Sequence, residues 1–229
     1  MGLFIAIEGG DGSGKGTQAQ RIELRLREAG VDVMKISYPR YGEASAEVAG
    51  KYLNGDYGSA NDLHPDIASL PFAIDRFAAK QEIIDHLVKT NAVVIADRYV
   101  ASNLAHQGSK LDDQTERVAF YERISQIEFG ILGLPEPSLS IVLLVPATVA
   151  QANVDKKDTR SYTQKKRDIH EADADHLEKS RRNYEELVEL YPQKFTAINC
   201  MQDENEMRSI EAIHEDIWQL LDKELQDAK

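Results

Sequence analysis

Gly9-Gly10-Asp11-Gly12-Ser13-Gly14-Lys15-Gly16-Thr17 decides how this chain is read. It has the form Gly-x-x-x-x-Gly-Lys, with a short apolar run, Leu3 to Ile7, before it and a helical pattern after it. The glycines let the backbone double back and aim successive N–H groups at one point. Lys15 adds a charge on a long stem, and the helix behind it adds the positive end of its dipole. Together they form a site for nucleotide phosphates. The strand before and the helix after argue against a mere glycine-rich surface turn. One residue departs from the pattern: Gly16 stands where Ser or Thr is usual, and a hydroxyl comes only at Thr17.

Outward from this loop, Ala19, Ile22, Leu26 and Ala29 recur at helical spacing, and Gly30 supplies a C-cap. Val31 to Ser37 alternates as a strand. Ala92 to Ala96, Leu139 to Val145 and Phe195 to Asn199 are further short apolar runs. Helical patterns lie between them: Ala44 to Leu53, Pro65 to Thr90, Ala101 to His106, Gln114 to Phe129 and His176 to Tyr191. A last one carries Ile210, Ile213, Ile217, Leu220 and Leu221. In the long pattern Ile67, Leu70, Ile74, Phe77, Ile84, Leu87 and Val88 give one apolar side, and Pro71 is expected to kink or restart the helix. The expectation is an α/β protein with the P-loop NTPase fold, a five-stranded parallel sheet covered by helices on both faces. Residues 1–229 read as a single domain. A basic lid is expected at about 154–171, where Lys156, Lys157, Arg160, Lys165, Lys166 and Arg167 cluster without aliphatic residues.

The net charge of −12 over 229 residues argues against a binder of nucleic-acid polymers or membrane surfaces, but not against a small anion held in a local basic pocket. The single cysteine, Cys200, excludes an intramolecular disulfide and reads as an inert packed thiol. No apolar run reaches membrane-spanning length, and no basic stretch precedes the first apolar run. Met1-Gly2 lacks the Ser or Thr that myristoylation wants, since Ala6 stands there. A cytoplasmic location is expected.

Val93-Val94-Ile95-Ala96-Asp97 reads as a strand that ends in an acid able to support Mg²⁺ or its waters. Arg98 follows where motor-type ATPases place Glu, and a cation there suits a second phosphate better than a water nucleophile. Guanine-specific switch proteins carry Asn-Lys-x-Asp, which is absent here. Phe72 precedes Arg76 by one helical turn, so a ring and a guanidinium share a face. Spacing alone favours a core Phe beside a surface Arg.

Four segments in order carry a family resemblance: Gly9 to Thr17, Tyr38-Pro39-Arg40-Tyr41-Gly42, Leu70-Pro71-Phe72-Ala73-Ile74-Asp75-Arg76 and Asp97-Arg98-Tyr99-Val100-Ala101-Ser102-Asn103. The chain resembles the thymidylate kinases, which transfer the ATP γ-phosphate to dTMP, and its second and fourth segments are similar to actinobacterial members. Arg167-Asp168-Ile169-His170-Glu171, with Leu177 and Tyr184, resembles the family's lid and the helix after it. The resemblance implies ATP, dTMP and Mg²⁺ as ligands and a homodimer as the assembly. It implies that Gly9 to Thr17 hold ATP, that Phe72 stacks on thymine, that Arg76 reaches its O4, and that Asn103 faces N3. Tyr41 and Arg98 would hold the acceptor phosphate. His106 and Gln107 would line the same pocket, with His106 where relatives often have Tyr beneath the sugar. Asp11 would lie between donor and acceptor. Asp11, Asp97 and Glu171 are the candidate metal contacts, direct or through water. Lys15, Asp11 and Arg98 would serve catalysis with Arg160, Lys165 and Arg167, since Gly12 stands where other members carry an arginine. Other acceptors, AMP or dUMP, and a non-catalytic P-loop switch are the alternative readings.

Overall fold

A computed structural model describes residues 2–155, 169–170 and 173–227. Its sheet holds β1 (Leu3–Gly9), β2 (Asp32–Ser37), β3 (Ala92–Asp97), β4 (Leu139–Leu144) and β5 (Phe195–Asn199) in the order β2-β3-β1-β4-β5. Every neighbouring pair is parallel. The central strands read as continuous apolar runs because both faces are covered, and period 2 sends alternate residues to opposite layers. Phe4, Ala6, Val94, Ala96 and Val142 pack with Leu104, Phe120, Tyr184 and Leu187. Leu3, Ile5, Ile7, Val93, Ile95, Ile141 and Leu143 pack with Ile22, Leu26, Ile213 and Ile217 on the other side. The first layer is built on α5 (Val100–Gly108), α6 (Gln114–Ser125) and α8 (Ala174–Leu190). The second is built on α1 (Lys15–Glu28) and α9 (Ile210–Asp227).

The sequence pattern from Pro65 to Thr90 divides into α3 (Pro65–Ala78) and α4 (Lys80–Leu87), and the break falls at Ala79 instead of Pro71. The ring of Pro71 deprives the Ile67 carbonyl of its helical donor. Ile67 is 54% exposed, so water can serve that carbonyl and the helix runs through. The apolar side of this segment faces outward along α3. Ile67, Leu70, Ile74 and Phe77 are 54%, 41%, 55% and 49% exposed, while Ala68, Ser69, Ala73, Asp75 and Arg76 face inward. The inward face carries polar side chains because it builds a site, and the greasy stripe is left to solvent. α6 likewise stops at Ser125 and gives way to a π-helical turn, Gln126–Ile131. α2 (Glu47–Leu53) follows a short 3₁₀ turn, Ala44–Ala46. Cys200 is buried, and burial pushes its thiol up to about 12, so it packs and does not react.

α7 (Ala147–Asp155) has no counterpart in the periodicity argument, yet it fixes the phosphate loop. Asn153 Nδ2 donates to the Gly12 carbonyl at 3.1 Å. Gly12 has φ +82°, and a Cβ placed on it would stand 2.0 Å from the Ala150 carbonyl oxygen. The departure at Gly12 therefore has a physical cause: α7 occupies the space that an arginine side chain would need. Restoring that arginine with Gly12→Arg should destabilise the fold by about 2 kcal/mol or more, from left-handed backbone strain plus displacement of α7. A urea-melt midpoint equal to that of the parent chain would show that α7 does not lie on the loop.

Candidate active site

Register places Ile7 opposite Asp97, so the loop after β1 and the Asp97-Arg98 corner after β3 emerge side by side. Lys15 folds back over the loop, its Nζ donating to the Gly10 carbonyl at 3.1 Å and lying 3.6 Å from Asp11 Oδ1. Arg98 holds φ 68°, a left-handed conformation uncommon for residues other than glycine. Its Nη2 donates to Asp11 Oδ1 at 2.6 Å. Its Nη1 reaches the Gly9 carbonyl at 3.3 Å, Ser102 Oγ at 3.2 Å and His106 Nε2 at 3.2 Å. An acid inside a phosphate loop would repel phosphate unless cations offset it. Here Arg98 and Lys15 do so, and Asp11 in turn fixes both.

Glu8, the residue before the loop, has no signature in sequence beyond a charge inside a buried strand. Its carboxylate accepts from Tyr99 N and Ser102 Oγ, both at 2.7 Å, and from the Tyr184 hydroxyl at 3.3 Å. Burial raises its pKa, against the pull of these hydrogen bonds and of Arg98. It pins the first turn of α5, which carries Asn103, His106 and Gln107.

One cleft is lined by Asp11, Tyr41, Phe72, Arg76, Arg98, Asn103, His106 and Gln107, with Tyr38, Pro39 and His170 completing the wall. All eight residues named from sequence for the acceptor pocket are thus brought together. Arg76 is not on the surface, as spacing favoured, but 1% exposed. Its burial is made possible by Glu128, which is 0% exposed. Arg76 Nε and Nη2 donate to the two Glu128 oxygens at 2.5 and 2.7 Å, and Nη1 donates to the Tyr99 carbonyl at 3.3 Å. Burial alone would lower the Arg76 pKa; the Glu128 charge more than offsets this and raises it. Asp75, the other half of the Asp75-Arg76 pair, holds Arg40 instead, at 3.0 Å from Nε.

Glu128 also fixes the orientation of Asn103. Asn103 Nδ2 donates to Glu128 Oε1 at 2.9 Å and to the Ser69 carbonyl at 3.1 Å. Both partners accept only, so both amide hydrogens are committed and Oδ1 is left as an acceptor. The cleft therefore offers a guanidinium donor beside a carbonyl acceptor. Sequence reasoning missed Glu128, although an acid between Ile127 and Phe129 was a signal. The π-helical turn carries it: its wider winding shifts the register of α6 and buries a carboxylate among apolar neighbours.

A second cleft opens on the other side of the loop, lined by Gly12 to Gln18, Asp97, Asn153, Met207, Arg208, Ile210 and Ile213. Gly9 and Gly10 lead into this loop without lining the cleft. A Cβ at Gly16 would lie 3.1 Å from Asp97 Oδ2, so a side chain there would need that carboxylate to shift by a few tenths of an ångström. Asp97 Oδ1 is buried without a hydrogen-bond partner among the described residues. A carboxylate oxygen left open beside a phosphate loop fits a hard divalent cation or its bound water. Met207 and Arg208, before α9, were not singled out from sequence. Arg160, Lys165, Arg167 and Glu171 lie outside the described residues.

The sequence model of the family described as thymidylate kinase matches residues 7–217. The thymidylate kinase of Mycobacterium tuberculosis is 36% identical over 187 residues, covering 81% of this chain and 86% of that one. The probable thymidylate kinase of Pyrococcus abyssi is 30% identical over 230 residues, covering 98% of each. Among solved structures, the thymidylate kinase of Candida albicans superposes with a TM-score of 0.71 at 21% identity, over 97% of this chain and 92% of that chain. That likeness shows the P-loop NTPase fold.

Proposed function

The chain belongs to the thymidylate kinase family and is a nucleoside monophosphate kinase; from that premise we propose that it transfers the ATP γ-phosphate to dTMP, giving dTDP and ADP. One observation carries the choice of acceptor: the Arg76 guanidinium and Asn103 Oδ1 side by side in the cleft. Thymine offers a carbonyl acceptor at O4 next to an N3–H donor, which complements that pair. Cytosine offers a donor at N4 next to an acceptor at N3, which opposes it on both counts. Phe72 supplies the stacking face, and Tyr41 and Arg98 take the acceptor phosphate. ATP occupies the second cleft, with its phosphates on Gly12 to Thr17 and its base toward Met207 and Arg208.

The loop then lies between two nucleotides. Lys15 takes the donor phosphates and Arg98 the acceptor phosphate, and Asp11 holds the two cations at a fixed separation. Little covalent chemistry falls to the protein, because the acceptor oxygen is already ionised and phosphoryl transfer needs positioning and charge stabilisation. Mg²⁺ would supply further neutralisation of phosphate charge, and Asp97 fits it, Asp11 being already engaged by Arg98 and Lys15. The basic residues Arg160, Lys165 and Arg167, within the proposed lid at about 154–171, would provide the cation that Gly12 cannot. A cytoplasmic location is part of the proposal; no helix among the described residues is long and apolar enough to cross a membrane.

A homodimer is proposed on the outward stripe of α3. Ile67, Leu70, Ile74 and Phe77 form a contiguous apolar face at helical spacing, and a second copy of this chain would cover it. Phe77→Glu should convert a dimer into a monomer in sedimentation equilibrium; a parent chain that sediments as a monomer at micromolar concentration would sink the proposal.

ADP release measured across dTMP, dUMP, dCMP, AMP and GMP tests the function. The expected order puts dTMP first, with dCMP and AMP about a hundredfold lower or more in kcat/KM. Equal use of AMP or dCMP would overturn the acceptor assignment, and no turnover with any acceptor would favour a switch protein. In the same assay Asp97→Asn should raise the Mg²⁺ requirement about tenfold. Replacing Arg160, Lys165 and Arg167 together by Ala should lower kcat far more than dTMP affinity.

A further inference from the structure

Behind the acceptor-phosphate arginine lies a group of buried histidines, His106 on α5, His176 on α8 and His170 in the segment before it. One ring nitrogen from each of the three lies within 4.8 Å of the other two. A metal ion is one explanation for such a group, but the hydrogen bonds of two of the rings already assign every donor and acceptor. Arg98 can only donate, so the 3.2 Å contact from its Nη1 makes His106 Nε2 an acceptor. A neutral His106 then carries its proton on Nδ1, and Nδ1 lies 3.3 Å from His176 Nε2. His176 Nε2 must accept, so its proton sits on Nδ1, 3.0 Å from Ser109 Oγ. Ser109 donates its one hydrogen to the His106 carbonyl at 2.7 Å, so its oxygen can accept from His176.

The same tautomers follow from the other end. Ser109 spends its hydrogen on the His106 carbonyl; hence His176 donates to it, His176 Nε2 accepts from His106, and His106 Nε2 is left for Arg98. Two independent starting points give one direction for the whole chain. Burial holds both imidazoles well below their usual pKa, with Arg98 adding to the effect at His106, which is consistent with neutral rings. A metal on His106 Nδ1 would force a proton onto Nε2, facing the arginine, so the arrangement is that of a relay and not of a metal centre.

We propose that His176 is a positioning residue: by accepting from His106 Nδ1 it keeps His106 Nε2 as an acceptor and so helps hold the Arg98 guanidinium toward the acceptor phosphate. The role rests on the kinase reading for its consequence, but the tautomer itself does not. His176 sits near the start of α8, just after the expected lid, so the relay links that helix to the phosphate arginine. Without it, the buried Nδ1–H of His106 has no acceptor. The imidazole would then favour the opposite tautomer, which sets N–H against N–H at Arg98.

Nitrogen-15 NMR of the histidine-labelled full chain reads the tautomers directly, without substrate. The expected result is the Nδ1–H tautomer for His106 and His176. His176→Leu should move His106 toward Nε2–H and raise KM for dTMP about tenfold, the scale of one hydrogen bond to a charged group, while changing kcat less. His176→Gln places a side-chain carbonyl near the lost Nε2 and should restore both readings. The proposal is overturned by an Nε2–H His106 in the parent chain, or by Leu and Gln variants with the same KM. If the Leu variant fails to fold, the parent spectrum and the Gln variant still decide. Failure of dTMP turnover with the expected tautomers would count against the kinase reading and not against the relay.

Discussion

The buried Arg76–Glu128 pair is the interaction on which the proposed acceptor site depends. Taking a guanidinium and a carboxylate out of water costs several kcal/mol per ion, recovered only where the geometry is good and further hydrogen bonds support it. Here two parallel bonds join the ions and the Tyr99 carbonyl takes a third donor, which leaves guanidinium N–H groups for the cleft. The same carboxylate fixes the Asn103 amide. One buried charge thus sets the polarity of two recognition groups, and the polar inward face of α3 follows from it. That face leaves the apolar residues of α3 outside, which is why the helix lies with its greasy stripe toward solvent.

The phosphate loop obeys a second constraint, crowding. α7 leaves no room for a Cβ at Gly12, and the Asp97 carboxylate lies close to Gly16, so both departures from the usual loop are glycines at crowded places. Asp11 lies between the Arg98 and Lys15 cations, so the loop holds its own anion at a fixed place. Two clefts lie one on each side of this cluster, and in the proposed reaction the loop is a partition between donor and acceptor.

Much of this was legible in the chain. The five strands sit where the short apolar runs placed them, because strands buried on both faces leave a continuous hydrophobic record. The phosphate loop and the Asp97-Arg98 corner were legible because tight turns and anion sites restrict residue type. The orientation of α3 was not, since periodicity finds an apolar stripe without saying whether core or solvent faces it. Glu128 escaped because a π-helical turn breaks the 3.6-residue period that organises such readings. The buried environment of Arg76 depended on that partner and was hidden with it. The relay through His106 and His176 joins residues far apart in the chain, and no local pattern announces such a contact.

In the proposed reaction Glu128, which lines neither cleft, sets acceptor choice through the donors it commits. Glu128→Gln keeps the volume but puts an NH2 donor in place of one carboxylate oxygen: at Oε2 it opposes Arg76 Nε, and at Oε1 it opposes both Arg76 Nη2 and the Asn103 amide. The decisive quantity is the ratio of kcat/KM for dTMP to that for dCMP in this variant, measured on protein shown to be folded by circular dichroism. The ratio should fall about tenfold or more from that of the parent chain. A folded variant with an unchanged ratio would contradict that role of Glu128.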